Sequence, residues 1–397
     1  MFNGLSQIVI VTGMNLRNLP QRMGSSAVAV FGVACVVGVL MGVMSMASGF
    51  QRTMTSAGAP DIALVMRAGA TSEMSSGMGY DQAQLVANLP GIARNDAGQP
   101  IASAELYVIV DLLKRTTMTT ANVPLRGVDA TAFAVRDEVT IIEGRNFEPG
   151  KNEVIVGRGA HHQFAHLNVG STLKFGATEW TVVGIFAAGG GIAESELWCD
   201  VRILQSAYRR GNNFQSMRVK LTSVDAMEVF KAELAANPQL DLGAQFELDY
   251  LSAQAEPVSM FIKAVGYPVA LLMALGAIFG AINTMYASVS TRTREIATLR
   301  ALGFGAFPVA FSTLFESLVL ALLGGLLGSI IVYLVFNGYS VSTLNFSSFS
   351  QVVFDFAVTG DLLVQGIIAA AIIGVVGGFF PAVRAARLPV ATALRET

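Results

Sequence analysis

Long apolar runs alternate with mixed sequence along this chain. Four runs are long enough, at helical rise, to cross about 30 Å of hydrocarbon. They predict transmembrane helices at residues 27–49, 264–288, 309–336 and 362–383. Between the first and second, residues 50–258 change to shorter periods. There, 61–67, 101–112 and 153–156 read as strands, and 172–175 with 180–186 as a hairpin turning at Gly176-Ala177. Residues 83–89 and 226–235 have helical spacing, the second ended by Asn237-Pro238. The expected fold class is a membrane protein of four transmembrane α-helices, with a large α/β extracytoplasmic domain inserted between helices 1 and 2. Residues 140–200 are expected to be a β-rich subdomain of that insert, and residues 259–397 to form the rest of the membrane region.

Composition agrees with this pattern. Hydrophobic residues make up 53% of the chain, charged residues 14%, and mean hydropathy is +0.55. A soluble domain carries about a quarter charged residues, because water must solvate its surface. No Lys or Arg occurs between Arg300 and Arg384. The first apolar run is longer than a signal-peptide core and starts late in the chain, so it reads as a retained helix. Net charge is −2, with no basic stripe to suggest nucleic acid as a partner. Cys35 lies in an apolar run and Cys199 in the mixed region, which gives no disulfide framework and no cysteine metal cluster.

Basic residues near the helix ends set the orientation. Arg17 and Arg22 precede the first span. Arg292, Arg294 and Arg300 lie between the second and third, and Arg384, Arg387 and Arg395 follow the fourth. The connection 337–361 has no basic residue, only Asp355 and Asp361. Both termini and the loop 290–305 are therefore expected in the cytoplasm, with the insert and 337–361 outside. In residues 1–26, Phe2, Leu5, Ile8, Val9 and Leu16 could form the apolar face of a helix lying on the cytoplasmic surface. The other reading is a partly ordered tail.

Candidate chemistry in the insert is sparse. His161, His162 and His166 are the histidines, the last two read as one helical turn apart. They are either an exposed polar helix face or part of a metal site that still wants a further ligand. Gly189-Gly190-Gly191 lacks the strand–turn–helix context of a phosphate loop and reads as a flexible connection or a tight approach between segments. No Gly-x-Ser-x-Gly or His-Glu-x-x-His occurs. The residues make no case for a catalytic centre, a metal or a cofactor on this chain.

The membrane half is more informative. Small residues recur at four-residue spacing: Ala34, Gly38 and Gly42 in the first span, Gly324 and Gly328 in the third, Gly374 and Gly378 in the fourth. Such stripes let helices approach closely in lipid, although glycine is also simply common in membrane helices. Glu316 is the ionisable residue well inside a span, where a carboxylate costs a few kcal/mol unless paired or hydrated. It lies about two turns from the cytoplasmic end, within reach of an Arg. A structural tether and a proton relay are the two readings. In the loop, Ile296, Leu299 and Leu302 recur at helical spacing among Arg292, Arg294, Glu295 and Arg300, and Gly303 ends the pattern. This is a short amphipathic helix suited to a partner's groove, or a basic loop lying on lipid headgroups.

The run Asn283-Thr284-Met285 through Thr293-Arg294-Glu295-Ile296-Ala297-Thr298-Leu299-Arg300-Ala301-Leu302-Gly303 resembles the FtsX-like permease domain. So do Glu316 with Gly324-Gly325-Leu326-Leu327-Gly328, and Pro381-Ala382-Val383-Arg384-Ala385-Ala386-Arg387 with Pro389, Ala393, Leu394 and Arg395. In the insert, Gly144-Arg145-Asn146-Phe147 and Glu153-Val154-Ile155-Val156-Gly157 look like a MacB-type periplasmic core domain. The resemblance implies a permease of the MacB/FtsX/Lol class of ABC transporters in the bacterial inner membrane. It implies a non-enzymatic chain, since no Gly-x-x-x-x-Gly-Lys-Ser/Thr loop occurs here, whereas MacB itself carries its ATPase on the same chain. A separate ABC ATPase in two copies would bind ATP and Mg. A second permease chain would complete a homodimer, with an interface made by the first and second spans. A periplasmic membrane-fusion adaptor and an outer-membrane duct are the further partners of the efflux branch. By position in the motif, Arg292 to Gly303 would contact the ATPase, whose dimerisation would move the periplasmic domains. The alternatives are a regulator that activates a periplasmic cell-wall hydrolase, as in the family's division branch, and a membrane-bound enzyme.

Overall fold

The computed structural model describes residues 4–18, 23–56 and 58–390. Arg22, Phe2 and Arg395, used in the sequence reading, lie outside the described residues, as do Ala393 and Leu394. In chain order, α1 (Gly4–Arg17) and α2 (Met23–Thr55) precede β1 (Ile62–Arg67), α3 (Tyr80–Ala87), β2 (Ala102–Leu113), β3 (Thr120–Val128), α4 (Ala132–Val135) and β4 (Val139–Gly144). Then come β5 (Glu153–Gly157), α5 (Arg158–Gln163), β6 (Thr172–Phe175), β7 (Thr178–Ala188), β8 (Leu197–Asp200), α6 (Val201–Ala207), β9 (Ser216–Lys220), α7 (Ala226–Ala236) and β10 (Leu242–Phe246). The chain ends with α8 (Glu247–Thr291), α9 (Thr293–Ala301), α10 (Ala306–Phe336), β11 (Ser340–Asn345), β12 (Ser350–Asp355) and α11 (Gly360–Ala386). Two compact units result, one of residues 1–48, 261–338 and 357–397, the other of 49–260 and 339–356.

The first unit holds the membrane helices. Among the described residues, α2, α8, α10 and α11 contain the four stretches long and apolar enough to cross a membrane. Each helix outruns its apolar window, and α8 starts at Glu247 and continues for 45 residues. Hydropathy registers only the lipid-facing part of a helix, whereas backbone hydrogen bonding carries on wherever neighbours cover the surface. α10 and α11 pack where small residues let them. A Cβ on Gly374 would stand 2.6 Å from that of Ala321, and one on Gly378 2.6 Å from that of Ser317. The Ser317 hydroxyl donates to the Gly374 carbonyl at 2.8 Å. α2 meets α10 in the same way, since a Cβ on Gly324 or Gly328 would come within 2.5 Å of the carbonyl oxygens of Val30 and Ala34 respectively. The first-span stripe divides: Ala34 is part of this seam, Gly38 faces only Val332 at 3.8 Å, and Gly42 has nothing within 4 Å. α1 is helical, with Leu5 and Val9 exposed and Val11 buried.

The second unit is built on a ten-stranded sheet of order β10-β1-β9-β2-β3-β8-β5-β7-β4, with β6 on β7. Its first four strands interleave two β-α-β segments, β1-α3-β2 and β9-α7-β10, in a split arrangement with antiparallel neighbours. Strand alternation gives the sheet two chemically different faces. On one, Ala63, Val65, Leu106, Val108, Val123, Leu125, Met217 and Val219 form the main apolar core with α3 and α7. On the other, Phe186 and Trp198 pack at 4.9 Å beside an ionic cluster. The β6–β7 turn is the expected two-residue loop, with Gly176 at φ 60°.

Three expectations change. The connection 337–361 contains the hairpin β11–β12, which packs onto the second unit: Tyr107 and Ser350 hydroxyls lie 3.2 Å apart, and the Val353 N–H donates to Ser195 Oγ at 2.9 Å. The histidines do not share a helical face. α5 ends at Gln163 because Phe164 is drawn into the core and bridges Lys114, and His166 follows at φ 61°. The rings of His161 and His162 instead lie 5.7 Å apart. Gly189-Gly190-Gly191 is an ordered turn, in which Glu194 Oε1 accepts the N–H groups of Ala188 at 2.8 Å and Gly190 at 2.9 Å.

Candidate functional site

α9 is too short to be stable alone, so its neighbours must hold it. They hold one face only. Ile296 and Ala297 are buried, and Val289, Val309 and Ala385 complete a small apolar cluster with Ile296. The opposite side carries Arg294, Glu295 and Thr298, all exposed, and Leu302 just past its end is 74% exposed. The residues singled out in this loop therefore divide into two sets.

Arg292 and Arg300 belong to the inner set. Arg292, at the N-cap of α9, donates from Nη1 to Glu316 Oε2 of α10 at 3.1 Å, with both side chains no more than 8% exposed. Its Nη2 donates to Asn15 Oδ1 of α1, and its Nε to Glu295 Oε2 at 3.3 Å. Asn15 in turn donates to Ser312 Oγ on α10. At the other end, Arg300 Nη1 donates to the carbonyls of Ala386 at 2.5 Å and Leu388 at 3.4 Å, at the C-terminus of α11. Gly305 N–H donates to Gln7 of α1 at 3.1 Å. Leu299 is half-buried, and Gly303 turns the chain at φ 95°. A cleft of about 390 Å³ runs between α1, α9 and α10, lined by Met14, Asn18, Thr298 and Leu299.

A second constellation lies in the other unit and escaped the sequence reading. Arg126 of β3 donates to Glu73 at 2.8 Å, Glu105 at 2.8 Å and Glu196 at 2.7 Å. Arg136 reaches Glu105 at 2.7 Å. Arg218 of β9 reaches Glu73 at 2.9 Å, Glu105 at 2.7 Å and Glu247, the first residue of α8, at 2.5 Å. Every one of these side chains is nearly fully buried. Burial opposes the charge of Glu105, but the guanidinium groups of Arg136, Arg218 and Arg126 outweigh it and hold the carboxyl at about 2. Glu73 is likewise held well below the usual range, burial being overcome by Arg126 and Arg218. Arg126 also stacks 4.9 Å from the Tyr107 ring, and Arg136 lies 5.1 Å from that of Trp198. The available signal was parity: Ser103, Glu105 and Tyr107 alternate with the core residues of β2, as Arg126 does in β3 and Arg218 in β9. The arrangement ties three strands, the segment around Glu73 and the start of α8 together, and offers no nucleophile–base pair.

Residues 26–237 match the MacB-like periplasmic core domain, and residues 268–390 the FtsX-like permease C-terminal domain. The chain belongs to the MacB/FtsX-like ABC transporter permease family. It is a multi-pass membrane protein of that family. Among its relatives, the macrolide export ATP-binding/permease protein MacB of Hahella chejuensis is 25% identical over 240 residues, covering 57% of this chain and 35% of the relative. The pyoverdine export ATP-binding/permease protein PvdT of Pseudomonas entomophila is 30% identical over 240 residues, with the same coverage of 57% and 35%. The chain thus spans about a third of the length of these curated relatives. Among solved structures, the periplasmic region of MacB from Actinobacillus actinomycetemcomitans aligns at a TM-score of 0.37 with 14% identity, over 49% of this chain and 92% of that one.

Proposed function

We propose that this chain is the permease subunit of an ABC export system, in which a separate ATPase in two copies docks on α9 and drives motion of the periplasmic unit. The observation that carries the reading is the two-sidedness of α9. Its outer face presents Arg294, Thr298 and Leu302 to a partner, while its inner face is bonded to α1, α10 and α11. A helix used only to rest on lipid headgroups would not need polar ties to three neighbours. The relatives' names join ATP binding to a permease on one chain, which fits an ATPase working against this part. Two permease chains form a homodimer in this reading, both termini face the cytoplasm, and an adaptor with an outer-membrane duct receives the substrate. The packing of β11–β12 into the second unit supports the orientation, because it puts the segments after α2 and after α10 on one side of the membrane.

Affinity purification of the tagged chain in mild detergent, with an ATPase assay on the eluate, tests this. The expected result is a stoichiometric ATPase subunit whose recovery falls when Arg294 is reversed to Glu. A chain that elutes alone from several detergents, without ATPase activity, would overturn the reading.

A further inference from the structure

Arg292 occupies the junction between α8 and α9, and its guanidinium is shared among three helices. Nη1 holds Glu316 of α10 at 3.1 Å, Nη2 holds Asn15 of α1, and Nε holds Glu295 of α9 at 3.3 Å. Asn15 closes the loop by donating to Ser312, one turn from Glu316 on α10. The other contacts of α9 here are apolar, through Ile296, Val309 and Val289. Apolar contacts are non-directional and let one helix slide on another. A planar guanidinium with partners on different helices does not. Moving α9 without α10 would take from Glu316, buried inside a span, its guanidinium partner, and a carboxylate in that setting is costly to strip. Moving α9, α10 and α1 together keeps every bond of the Arg292 guanidinium.

We propose that the Arg292–Glu316 pair, steadied by Asn15, is the positioning element that passes displacement of α9 into α10 and α1, while Arg294, Thr298 and Leu302 only hold the ATPase. This rests on the reading of α9 as the docking element. The roles separate by side: recognition sits on the exposed face, transmission on the buried one. Glu316 makes no contact with the ATPase in this scheme, and its loss affects what happens after docking.

The test uses the full chain in lipid nanodiscs with the ATPase that co-purifies with it. Two quantities are read: ATPase bound per permease, and the MgATP-dependent change in distance between spin labels placed on the periplasmic units of the two permease chains. Glu316→Gln is expected to keep bound ATPase within twofold of the parent and to reduce the MgATP-dependent change at least fivefold. The exchanged pair R292E/E316R is expected to restore at least half of it, which loss of folding alone would not allow. Arg294→Glu is expected to lower bound ATPase at least tenfold. A Glu316→Gln protein with the full distance change would overturn the proposal while Arg294→Glu still upheld the docking reading. Unchanged binding in Arg294→Glu would overturn the docking reading and the proposal with it. Should Glu316→Gln fail to accumulate, Asn15→Ala leaves the ion pair in place and is expected to reduce the change about twofold. An undiminished change in Asn15→Ala would then count against the proposal.

Discussion

Arg218 and Glu247 join the periplasmic sheet to the longest helix among the described residues: Nε of Arg218 in β9 stands 2.5 Å from Oε1 of Glu247, the residue that begins α8. Both side chains are no more than 6% exposed. The same guanidinium holds Glu73 and Glu105, so the start of α8 is fastened to the centre of the sheet and not to its edge. Movement of the end of α8 near Glu247 must therefore be shared by β2, β3 and β9, which carry Glu105, Arg126 and Arg218.

Replacing Arg218 with Met should destabilise the periplasmic unit by about 3–5 kcal/mol, because it leaves buried carboxylates short of a partner. Both tryptophans of the chain, Trp180 and Trp198, are buried in this unit. Intrinsic fluorescence during denaturant unfolding of the full chain therefore reports on that unit alone. A loss under about 1 kcal/mol would mean that Arg126 and Arg136 suffice for the carboxylates.

Acid should weaken the same unit in a defined window. Glu105 is held at about 2 against an ordinary 4.5. A carboxyl whose value is depressed on folding contributes stability that is present above its unfolded value and is lost as pH falls through the folded one. Between about pH 4.5 and 2 the contribution, on the order of 3 kcal/mol, should disappear. Glu105→Gln should flatten the fluorescence-monitored stability profile over that interval, and an unaltered slope would show that another carboxylate governs it.

Sequence pattern exposed the spans because lipid demands long apolar runs, a local property. The strands β1, β2, β5, β6 and β7 were legible from alternation, while β3 was hidden by Pro124. That proline is tolerated because β8 joins β3 only from Leu125 onward, leaving no strand on that side of Pro124. The ionic cluster was invisible for another reason. Glu73, Glu105, Arg126, Arg218 and Glu247 are far apart in sequence, and each alone resembles a surface charge. Only the pairing of β2 with β3 and β9 brings them together. At α9 the residues were found, but which of them face inward depended on where α1, α10 and α11 lie.

The glycine seams differ in what they can tolerate. Gly328→Val should separate α10 from α2, since even a Cβ would fall 2.5 Å from the Ala34 carbonyl oxygen. We expect a loss of about 1–3 kcal/mol, seen as a lower aggregation midpoint in detergent. Gly42→Val, with nothing within 4 Å in its own chain, should leave that midpoint unchanged. A drop for Gly42→Val in the dimer but not in the monomer would place that end of the first stripe between chains.

Arg294 and Arg300 lie on one short helix, yet their reversal should have opposite consequences. Arg300 donates to the Ala386 and Leu388 carbonyls, where α11 ends and its last carbonyls lack intrahelical partners. A cation is favoured there by the partial negative charge of the helix terminus, and a carboxylate is repelled. Arg300→Glu should therefore loosen the contact by about 1–2 kcal/mol, and hydrogen exchange should rise in residues 384–388 together with α9. Arg294 is exposed, so Arg294→Glu should leave exchange unchanged throughout the membrane unit and reduce only the amount of ATPase recovered. If both reversals lower ATPase recovery equally while exchange at 384–388 stays low in each, then Arg300 leaves α11 to meet the ATPase, and the division of α9 into an outer and an inner face fails.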